Sequence, residues 1–205
     1  MKASHLVLLV EEPSMEAFLR CLLPRLLPAD CAFEVHPFQG KADLLGKLQS
    51  RLRGYALWLP DDWRIIVVID RDDDDCEKLK QRLEIMANAA GLRTRSAVSN
   101  TQWQVVNRIA IEELEAWYFG DWQAVCSAFP KVSPTVPNKA SYRDPDAIPG
   151  GTWEAFERIL RQHGYFRTGL RKIEVAQVIG SCLDPQNSRS RSFQRFYEAI
   201  LESIA

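Results

Sequence analysis

Acidic side chains follow directly after a strongly apolar run in the middle of the chain. Residues 65–69 are all isoleucine or valine, which is typical of a strand buried on both faces of a sheet. Asp70 ends this run, and four more aspartates lie in segment 71–75. Open α/β folds bind ligands at the carboxyl edge of their parallel strands. Carboxylates crowded at that edge repel one another, and a divalent cation relieves the repulsion. Asp70 and Asp72 are therefore candidate Mg²⁺ ligands.

A second predicted strand, His5–Val10, runs straight into Glu11. If this strand is a neighbour of the 65–69 strand, their ends lie about 4.8 Å apart. Glu11 and the Asp-x-Asp pair can then share one Mg²⁺ or bracket two, with Asp73 as a weaker candidate ligand. The alternative is that Glu11 and the acids after it only favour the start of the next helix through its dipole.

Segment 112–119 predicts a helix that carries three glutamates. Glu112 and Glu115 are three residues apart and share one helix face, whereas Glu113 points elsewhere. An ordinary amphipathic helix with surface acids explains this pattern. The functional alternative has Glu113 or Glu115 facing the metal pocket, where it helps to hold a second cation.

The charge of the chain is unevenly distributed although the net charge is only −1. Segment 61–77 has eight acids against two arginines, and segment 158–195 has eight bases against two acids. An acidic metal pocket beside a basic surface suits a phosphate-bearing polymer. The alternative is that the bases are solvated helix faces paired with nearby acids.

Several basic residues are candidates for contacts with phosphate. Lys41 follows Gly40 after a predicted strand and can point at a phosphate from there. Arg171, Arg189 and Arg191 lie in the basic part of the chain, the last two interleaved with serines that offer further donors. The serines can instead cap the last helix.

Composition and missing motifs exclude several classes of protein. The five cysteines are scattered without a C-x-x-C pair, which disfavours a zinc site or a disulfide framework and predicts reduced thiols in the cytoplasm. No apolar run reaches about 18 residues, so no membrane span is expected. The chain lacks a Walker A loop, a G-x-S-x-G elbow and an H-E-x-x-H pair.

The elements that must position these residues alternate between strands and helices. Such alternation predicts an α/β fold, with a mostly parallel sheet flanked by helices over residues 1–128. A proline-rich segment, 130–151, leads into a helical C-terminal annex within residues 129–205 that packs on this core. The predicted strands are 5–10, 31–38, 65–69, 93–98 and 103–111; the predicted helices are 15–27, 42–52, 76–90, 112–119, 153–163, 171–179 and 193–204.

Taken together, the motifs resemble the TOPRIM-like domain of topoisomerases, primases and overcoming-lysogenization nucleases. In that domain a strand-end glutamate and a later Asp-x-Asp hold Mg²⁺. The sequence is more closely similar to a bacterial family known only as domain of unknown function 4276, over nearly the whole chain. One departure is Glu12, which stands where the TOPRIM pattern usually has glycine. The matching positions are Glu11, Gly40-Lys41, 70–73, 113–117, Lys172 and 187–193.

The resemblance implies a TOPRIM fold and nucleic-acid cleavage that depends on Mg²⁺ or Mn²⁺, with DNA favoured over RNA. It also implies a role in bacterial phage defence beside an AAA- or ABC-type ATPase. The expected catalytic residues are Glu11, Asp70, Asp72 and Lys172, with Lys41 steadying phosphate charge. One rival is a non-catalytic module whose acidic edge docks a partner or senses a nucleotide. Another, haloacid-dehalogenase-like phosphotransfer, is disfavoured because the Asp-x-Asp follows the third strand instead of the first.

Overall fold

The computed structural model describes residues 2–98 and 102–205. Within them the strands are β1 (His5–Val10), β2 (Ala32–Pro37), β3 (Trp63–Asp70) and β4 (Val105–Ala110). The α-helices are α1 (Pro13–Leu26), α2 (Lys41–Ala56), α3 (Cys76–Ala89), α4 (Leu114–Gly120), α5 (Trp122–Ala128), α6 (Thr152–Gln162), α7 (Lys172–Cys182) and α8 (Arg191–Ile204).

The four strands form one parallel sheet in the order β2-β1-β3-β4. This sheet, with helices around it and more helices after it, confirms the predicted α/β class. The chain runs outward from β1 to β2 and then returns to place β3 on the other side of β1. The crevice between β1 and β3 is therefore the point where the strand order reverses, which is where open α/β sheets bind their ligands.

Two hydrophobic clusters cover the two faces of the sheet, because successive side chains of a strand point to opposite faces. Val7 and Val67 face α2 and α3, whose leucines recur at helical spacing. Leu8 and Val68 face the other way, into a larger cluster that includes α1 and α4 to α8. Both central strands are consequently apolar throughout, as the sequence predicts.

The C-terminal helices belong to this larger cluster. Helix α7 packs closely on α1, and a Cβ atom on Gly180 would come within 2.5 Å of the Phe18 carbonyl oxygen. Trp117 in α4 stacks on Phe196 in α8, with ring centroids 5.0 Å apart. The hydrophobic cluster thus crosses residue 128, and the division there into core and annex stays a prediction.

One predicted strand is wrong, and one observed helix was not predicted. Segment 93–98 makes a single bridge, Thr94 to Val105, and then turns where the Ala97 amide donates to the Thr94 carbonyl. Its polar side chains do not alternate with apolar ones, so nothing extends the pairing. The helix that was not predicted is the short helix α5. A single residue, Asp121, separates it from Gly120, and the Asp121 carboxylate caps it. Within the described residues, no helix combines the length and apolar character needed to cross a membrane.

Candidate metal centre

Glu11 and Asp70 meet at the carboxyl ends of the two central strands. β1 and β3 are paired in register up to Val10 and Val68, so Glu11 directly follows one strand and Asp70 ends the other. The backbone amide of Asp70 donates to Oε2 of Glu11 at 3.1 Å. The prediction that these two strand ends lie side by side is confirmed.

Asp70 is a buried carboxyl group with an unused oxygen. Its side chain is almost fully buried, and Oδ1 has no hydrogen-bond partner among the described residues. Burial, followed by the nearby charges of Glu11 and Glu115, raises its pKa well above the usual value. A buried oxygen without a donor is costly, so this position favours either a proton or a cation.

Glu11 shows the same effect. Burial raises its pKa to about 7; the Asp70 amide opposes the rise, and the charge of Asp72 adds to it. At neutral pH the Glu11 side chain is therefore close to half protonated. Carboxylates whose environments shift their pKa so strongly are concentrated at functional sites.

Glu115 joins the strand-end carboxylates from α4. The residue is 2% exposed, and its Oε2 atom has no hydrogen-bond partner in the described part of the chain. Burial raises its pKa to about 7, with the positive charge of Lys172 acting against the rise. The structure thus places Glu115 inside the cluster and not on a solvated helix face.

The helix predicted over 112–119 begins only at Leu114, and Glu112 precedes it with φ of 58°. The prediction that Glu112 and Glu115 share one helix face is therefore wrong. Glu113 is the residue just before α4 and points away from the cluster. Its Oε2 atom accepts hydrogen bonds from Oγ1 of Thr152 at 3.1 Å and from the backbone amide of Trp153 at 3.0 Å. These donors lie at the start of α6, where amides lack partners within the helix. Glu113 therefore caps α6 from outside.

Lys172 is a basic residue whose charge acts on the buried carboxyl groups of Glu115 and Asp70. It begins α7, with its Nζ 3.9 Å from Oε1 of Glu12 and 4.8 Å from the ring centroid of Trp153. Burial lowers its pKa, but the charges of Glu115 and Glu12 outweigh burial and raise it overall. Lys172 is thus a charged ammonium group that neutralises part of the acidic cluster.

The aspartate loop, residues 71–75, is held beside the cluster by Lys41. Asp72 adopts a left-handed backbone conformation with φ of 48°, and its amide donates to the Glu112 carbonyl at 2.9 Å. Nζ of Lys41 lies 2.7 Å from Asp72 and 2.9 Å from Asp74. It also donates to the Arg71 carbonyl at 2.8 Å. Lys41 therefore already has three oxygen partners, whatever its role toward a phosphate.

The last aspartate of the loop has a structural role. Asp75 caps α3 by accepting from the Lys78 amide at 2.9 Å. Asp73 stays exposed on the rim of an open cleft of about 380 Å³. The remaining lining of this acidic cleft is Asp72, Glu112, Glu113, Gly150, Gly151 and Glu154.

The predicted phosphate-binding arginines are scattered. Arg171 pairs with Glu174 at 3.0 Å, and Arg189 donates to the Arg143 carbonyl at 3.2 Å. Arg191 lies beside α3 and β4 in a separate cleft. The neighbouring Ser190 accepts from the Phe193 amide at 3.2 Å, so it caps the last helix as the alternative interpretation proposed.

Two contributors to the site carry no sequence signal that could have found them. Trp153 covers the ammonium group of Lys172, and Thr152 fixes Glu113. Both lie just after the proline-rich segment, about 40 residues from Glu113 and 20 from Lys172. Only the folded chain brings these positions to the same edge of the sheet.

The donor chemistry fits a hard cation, although the side chains do not form a ready cage. Glu11, Asp70 and Glu115 offer only carboxylate oxygens, the ligands that Mg²⁺ prefers, and two of these residues have an unpartnered buried oxygen. In the described residues, however, no three histidine, cysteine, aspartate or glutamate side chains are arranged to hold a metal ion. A bound cation therefore requires side-chain rotation at this site.

Comparison with known proteins places the chain in a family. The family model described as "Domain of unknown function (DUF4276)" matches residues 10–201. The chain belongs to this family. No curated protein and no solved structure matches the chain. Membership in the DUF4276 family carries no known activity, so the function must be argued from the site.

Proposed function

We propose that this DUF4276 protein is a Mg²⁺-dependent nuclease whose metal centre lies between the ends of β1 and β3. The observation that carries the proposal is the pair formed by Glu11 and Asp70. The backbone amide of Asp70 donates to the Glu11 carboxylate at 3.1 Å at the switch point, and one buried oxygen of the Asp70 side chain has no partner among the described residues. An open α/β sheet binds its ligand at this position.

In this proposal Glu11, Asp70 and Asp72 hold the cation. Glu115 adds a fourth carboxylate from the side, and Asp73 can reach the same edge from the loop. Mg²⁺ or Mn²⁺ bound there would polarise a phosphodiester and offset the charge of the leaving oxygen. Without a cation, the carboxyl groups of Glu11 and Glu115 retain protons near neutral pH, as their raised pKa values indicate.

The same site also handles protons and phosphate charge. Glu11, or a water held by the cation, is the proposed base. The pKa of about 7 for Glu11 applies without a cation, and a bound cation would lower it. Lys172 supplies a positive charge close to Glu115 and Glu12, where it can balance part of the charge of an incoming phosphate. Trp153, stacked over its ammonium group, restricts where that charge can move.

The TOPRIM relationship, and with it a phage-defence role beside an AAA- or ABC-type ATPase, is the finer part of the proposal. It is supported by the pattern of Glu11 and Asp70-x-Asp72. Parallel strands that end in acids around a switch point are compatible with it. Nucleic acid, DNA before RNA, is the proposed substrate because of the phosphate chemistry argued for the site.

Metal binding provides the first test. Isothermal titration of the purified protein with Mn²⁺ should show binding in the sub-millimolar range. Asp70→Asn keeps the shape of the side chain but removes its charge, so it should weaken binding at least tenfold. Asp61→Asn is the matched control, because Asp61 is exposed at the opposite end of β3.

Cleavage provides the second test. The wild-type protein and Asp61→Asn should nick supercoiled plasmid in Mn²⁺ or Mg²⁺, and Asp70→Asn should not. Equal nicking by all three proteins would reveal a contaminant and refute the assignment of the site. Metal binding without cleavage of single- or double-stranded DNA or RNA would refute the nuclease while leaving the metal centre in place.

The exposed acidic cleft favours one alternative function. Its lining carries five carboxylates and no basic residue, which suits the docking of a basic segment of a partner ATPase. In that case the protein is a non-catalytic module, or it senses a nucleotide through Mg²⁺. A docking surface predicts no calorimetric signal with Mn²⁺ alone, whereas the nuclease requires one.

A further inference from the structure

A second cleft lies beside β4, the strand at one edge of the sheet. Its volume is about 280 Å³, and no carboxylate lines it. Four basic residues do: Lys80 from α3, Arg108 from β4, and Arg191 and Arg195 from α8. Helices α3 and α8 cover opposite faces of the sheet, so the positive charges converge on the strand edge from both sides. The rest of the lining is Cys76, Asn107, Ile109, Ile111 and Ser192.

Two of these cations have no directly paired acid in the described part of the chain. Arg108 donates to the carbonyl oxygens of Arg195 at 2.8 Å and Asn107 at 3.2 Å, and the charges of Glu202 and Glu198 act on its guanidinium group only from a longer distance. Neither Arg108 nor Arg191 forms an ion pair within the described ranges. By contrast, Lys80 pairs with Glu84 at 3.0 Å and Arg195 with Glu198 at 2.8 Å. The cleft thus keeps an excess of positive charge.

Protection of the strand edge explains only part of this arrangement. Charged side chains on an edge strand prevent pairing with other chains. Lys80 and Arg108 satisfy this role, since both donate to the Asn107 carbonyl on the edge strand. Arg191 adds a further charge that edge protection does not need, and gathering like charges costs free energy unless an anion offsets it.

The amides at the start of α8 do not supply the anion site. They are occupied, because Asp146 accepts from the backbone amides of Arg191 at 2.6 Å and Ser192 at 3.1 Å. An anion in the cleft would therefore be bound by side chains. Guanidinium groups suit this task, since they donate parallel hydrogen bonds to phosphate oxygens.

The cleft adjoins the proposed metal centre along the chain. Ile109 and Ile111 flank Ala110, which pairs with Asp70 across the sheet, and Cys76 follows the last residue of the aspartate loop. The loop and the end of β4 therefore separate the acidic cleft from the basic one. A nucleic-acid strand with one phosphate at the Glu11 and Asp70 carboxylates can extend over the β4 edge, so that a neighbouring phosphate reaches the basic cleft.

We propose that this basic cleft binds the phosphodiester backbone of nucleic acid next to the scissile position, with Arg108 and Arg191 as its principal contacts. The proposal rests on the proposed nuclease function, because it takes the neighbouring acidic edge as the place of cleavage. It assigns Arg191 a phosphate contact at the β4 edge. Arg171 and Arg189 lie outside this cleft, so the proposal assigns them no phosphate contact.

Binding without cleavage tests the proposal. Fluorescence anisotropy of a short labelled DNA duplex is measured in EDTA at several salt concentrations. Arg191→Gln and Arg108→Gln should each weaken binding on the order of tenfold at low salt. Each should also reduce the slope of log affinity against log salt by about 0.9, the value for one lost phosphate contact. Arg53→Gln, on the exposed side of α2, is the charge-matched control and should change neither quantity.

The outcomes separate this site from the metal centre. Unchanged affinity and salt dependence in Arg191→Gln, whose side chain is exposed and dispensable for folding, would overturn the proposal. If duplex binding is lost in the arginine variants while Asp70→Asn still binds DNA but no Mn²⁺, both sites are supported independently. If Mn²⁺ binding fails but the arginine effects persist, only the nuclease is refuted. A loss equal to that of Arg53→Gln would reduce the effect to net charge and contradict a defined site.

Discussion

At the scale of single residues, the main feature is a set of carboxyl groups whose surroundings oppose ionisation. Glu11 and Asp70 end adjacent strands, and Glu115 approaches from α4. Burial dominates the raised pKa of each, and mutual repulsion increases it further for Asp70. Lys172 offsets part of the negative charge. The stability of the metal-free protein should therefore depend on pH.

The stability of the metal-free protein should fall as the pH rises from 4.5 to 7. Glu11 and Glu115 have pKa values of about 7 in the folded protein and 4.5 as the ordinary value. Across this window the folded state holds protons that the unfolded chain has released, so the unfolded state gains with rising pH. The loss from buried Glu115 is on the order of 2 kcal/mol. Urea unfolding in EDTA at several pH values measures it.

The Glu11→Gln, Glu115→Gln double variant isolates this effect. It should remove the part of the decline that Glu11 and Glu115 cause, because neither amide titrates, and leave the part due to Asp70, whose pKa is also raised. Glu84 does not interfere, since its pKa of about 2 lies below the window. A decline of equal size in the double variant would show that other groups cause it. Saturating Mg²⁺ should restore stability most strongly above pH 7, where the carboxylates are ionised.

Replacing Glu113 should affect stability and leave metal binding intact. Its carboxylate caps α6 through Thr152 and Trp153, so Glu113→Ala should cost about 1 kcal/mol of unfolding free energy. Urea unfolding and Mn²⁺ calorimetry on the same sample check both statements. Glu154→Gln is the control, because Glu154 is an exposed acid that lines the same cleft and lies in the first turn of α6. Weaker Mn²⁺ binding in Glu113→Ala alone would restore Glu113 as a ligand.

At the scale of elements, the proline-rich segment 130–151 fixes the start of α8. Asp146 in this segment accepts from the hydroxyl of Ser190 at 2.7 Å, besides the two α8 amides. It also accepts from the hydroxyl of Ser192, which in turn accepts from Nε1 of Trp117 at 3.0 Å. The segment therefore links α8 to α4, and these hydrogen bonds hold it in place in addition to its prolines.

Asp146→Ala should destabilise the protein by about 2 kcal/mol, because several buried or partly buried donors lose one acceptor together. Thermal or urea unfolding measures the effect. Asp144→Ala is the comparison, since the Asp144 carboxylate accepts only from the Asp146 amide, at 3.1 Å, and is exposed. Equal losses in the two variants would contradict the role assigned to Asp146.

At the scale of the whole molecule, one hydrophobic cluster extends from the sheet to the last helix. Helix α1 packs against both the sheet and α7, and Trp117 of α4 packs against Phe193 and Phe196 of α8. The C-terminal helices therefore cover surface that would otherwise face water. Covering this surface also buries Glu115 and brings Lys172 to the carboxylates.

A fragment of residues 1–128 should consequently fail to fold cooperatively. It would expose the apolar side of α1 and Trp117, and apolar burial is worth about 25 cal/mol per Å². The absence of a sigmoidal urea transition, together with dye binding to exposed apolar surface, is the expected result. A cooperative transition close to that of the full chain would show that the N-terminal part is an independent domain.

The sequence alone determined the α/β class and the placement of Glu11 and Asp70 at the same edge of the sheet. Alternating apolar runs and helical repeats encode the class locally, and buried parallel strands leave their final residues at one edge. That the two strands are neighbours was a condition of the prediction, and the sheet topology supplies it. The sequence misjudged segment 93–98, where a few strand-forming residues lack the pairing that would extend them.

Only the tertiary structure decided which glutamate joins the cluster, what surrounds Lys172 and where the arginines lie. Glu113 and Glu115 are chemically alike and two residues apart, but α6 engages one and the packed helices bury the other. The basic cleft is assembled from α3, β4 and α8, which are far apart along the chain. Such contacts depend on how separate elements pack, and no short stretch of sequence encodes them.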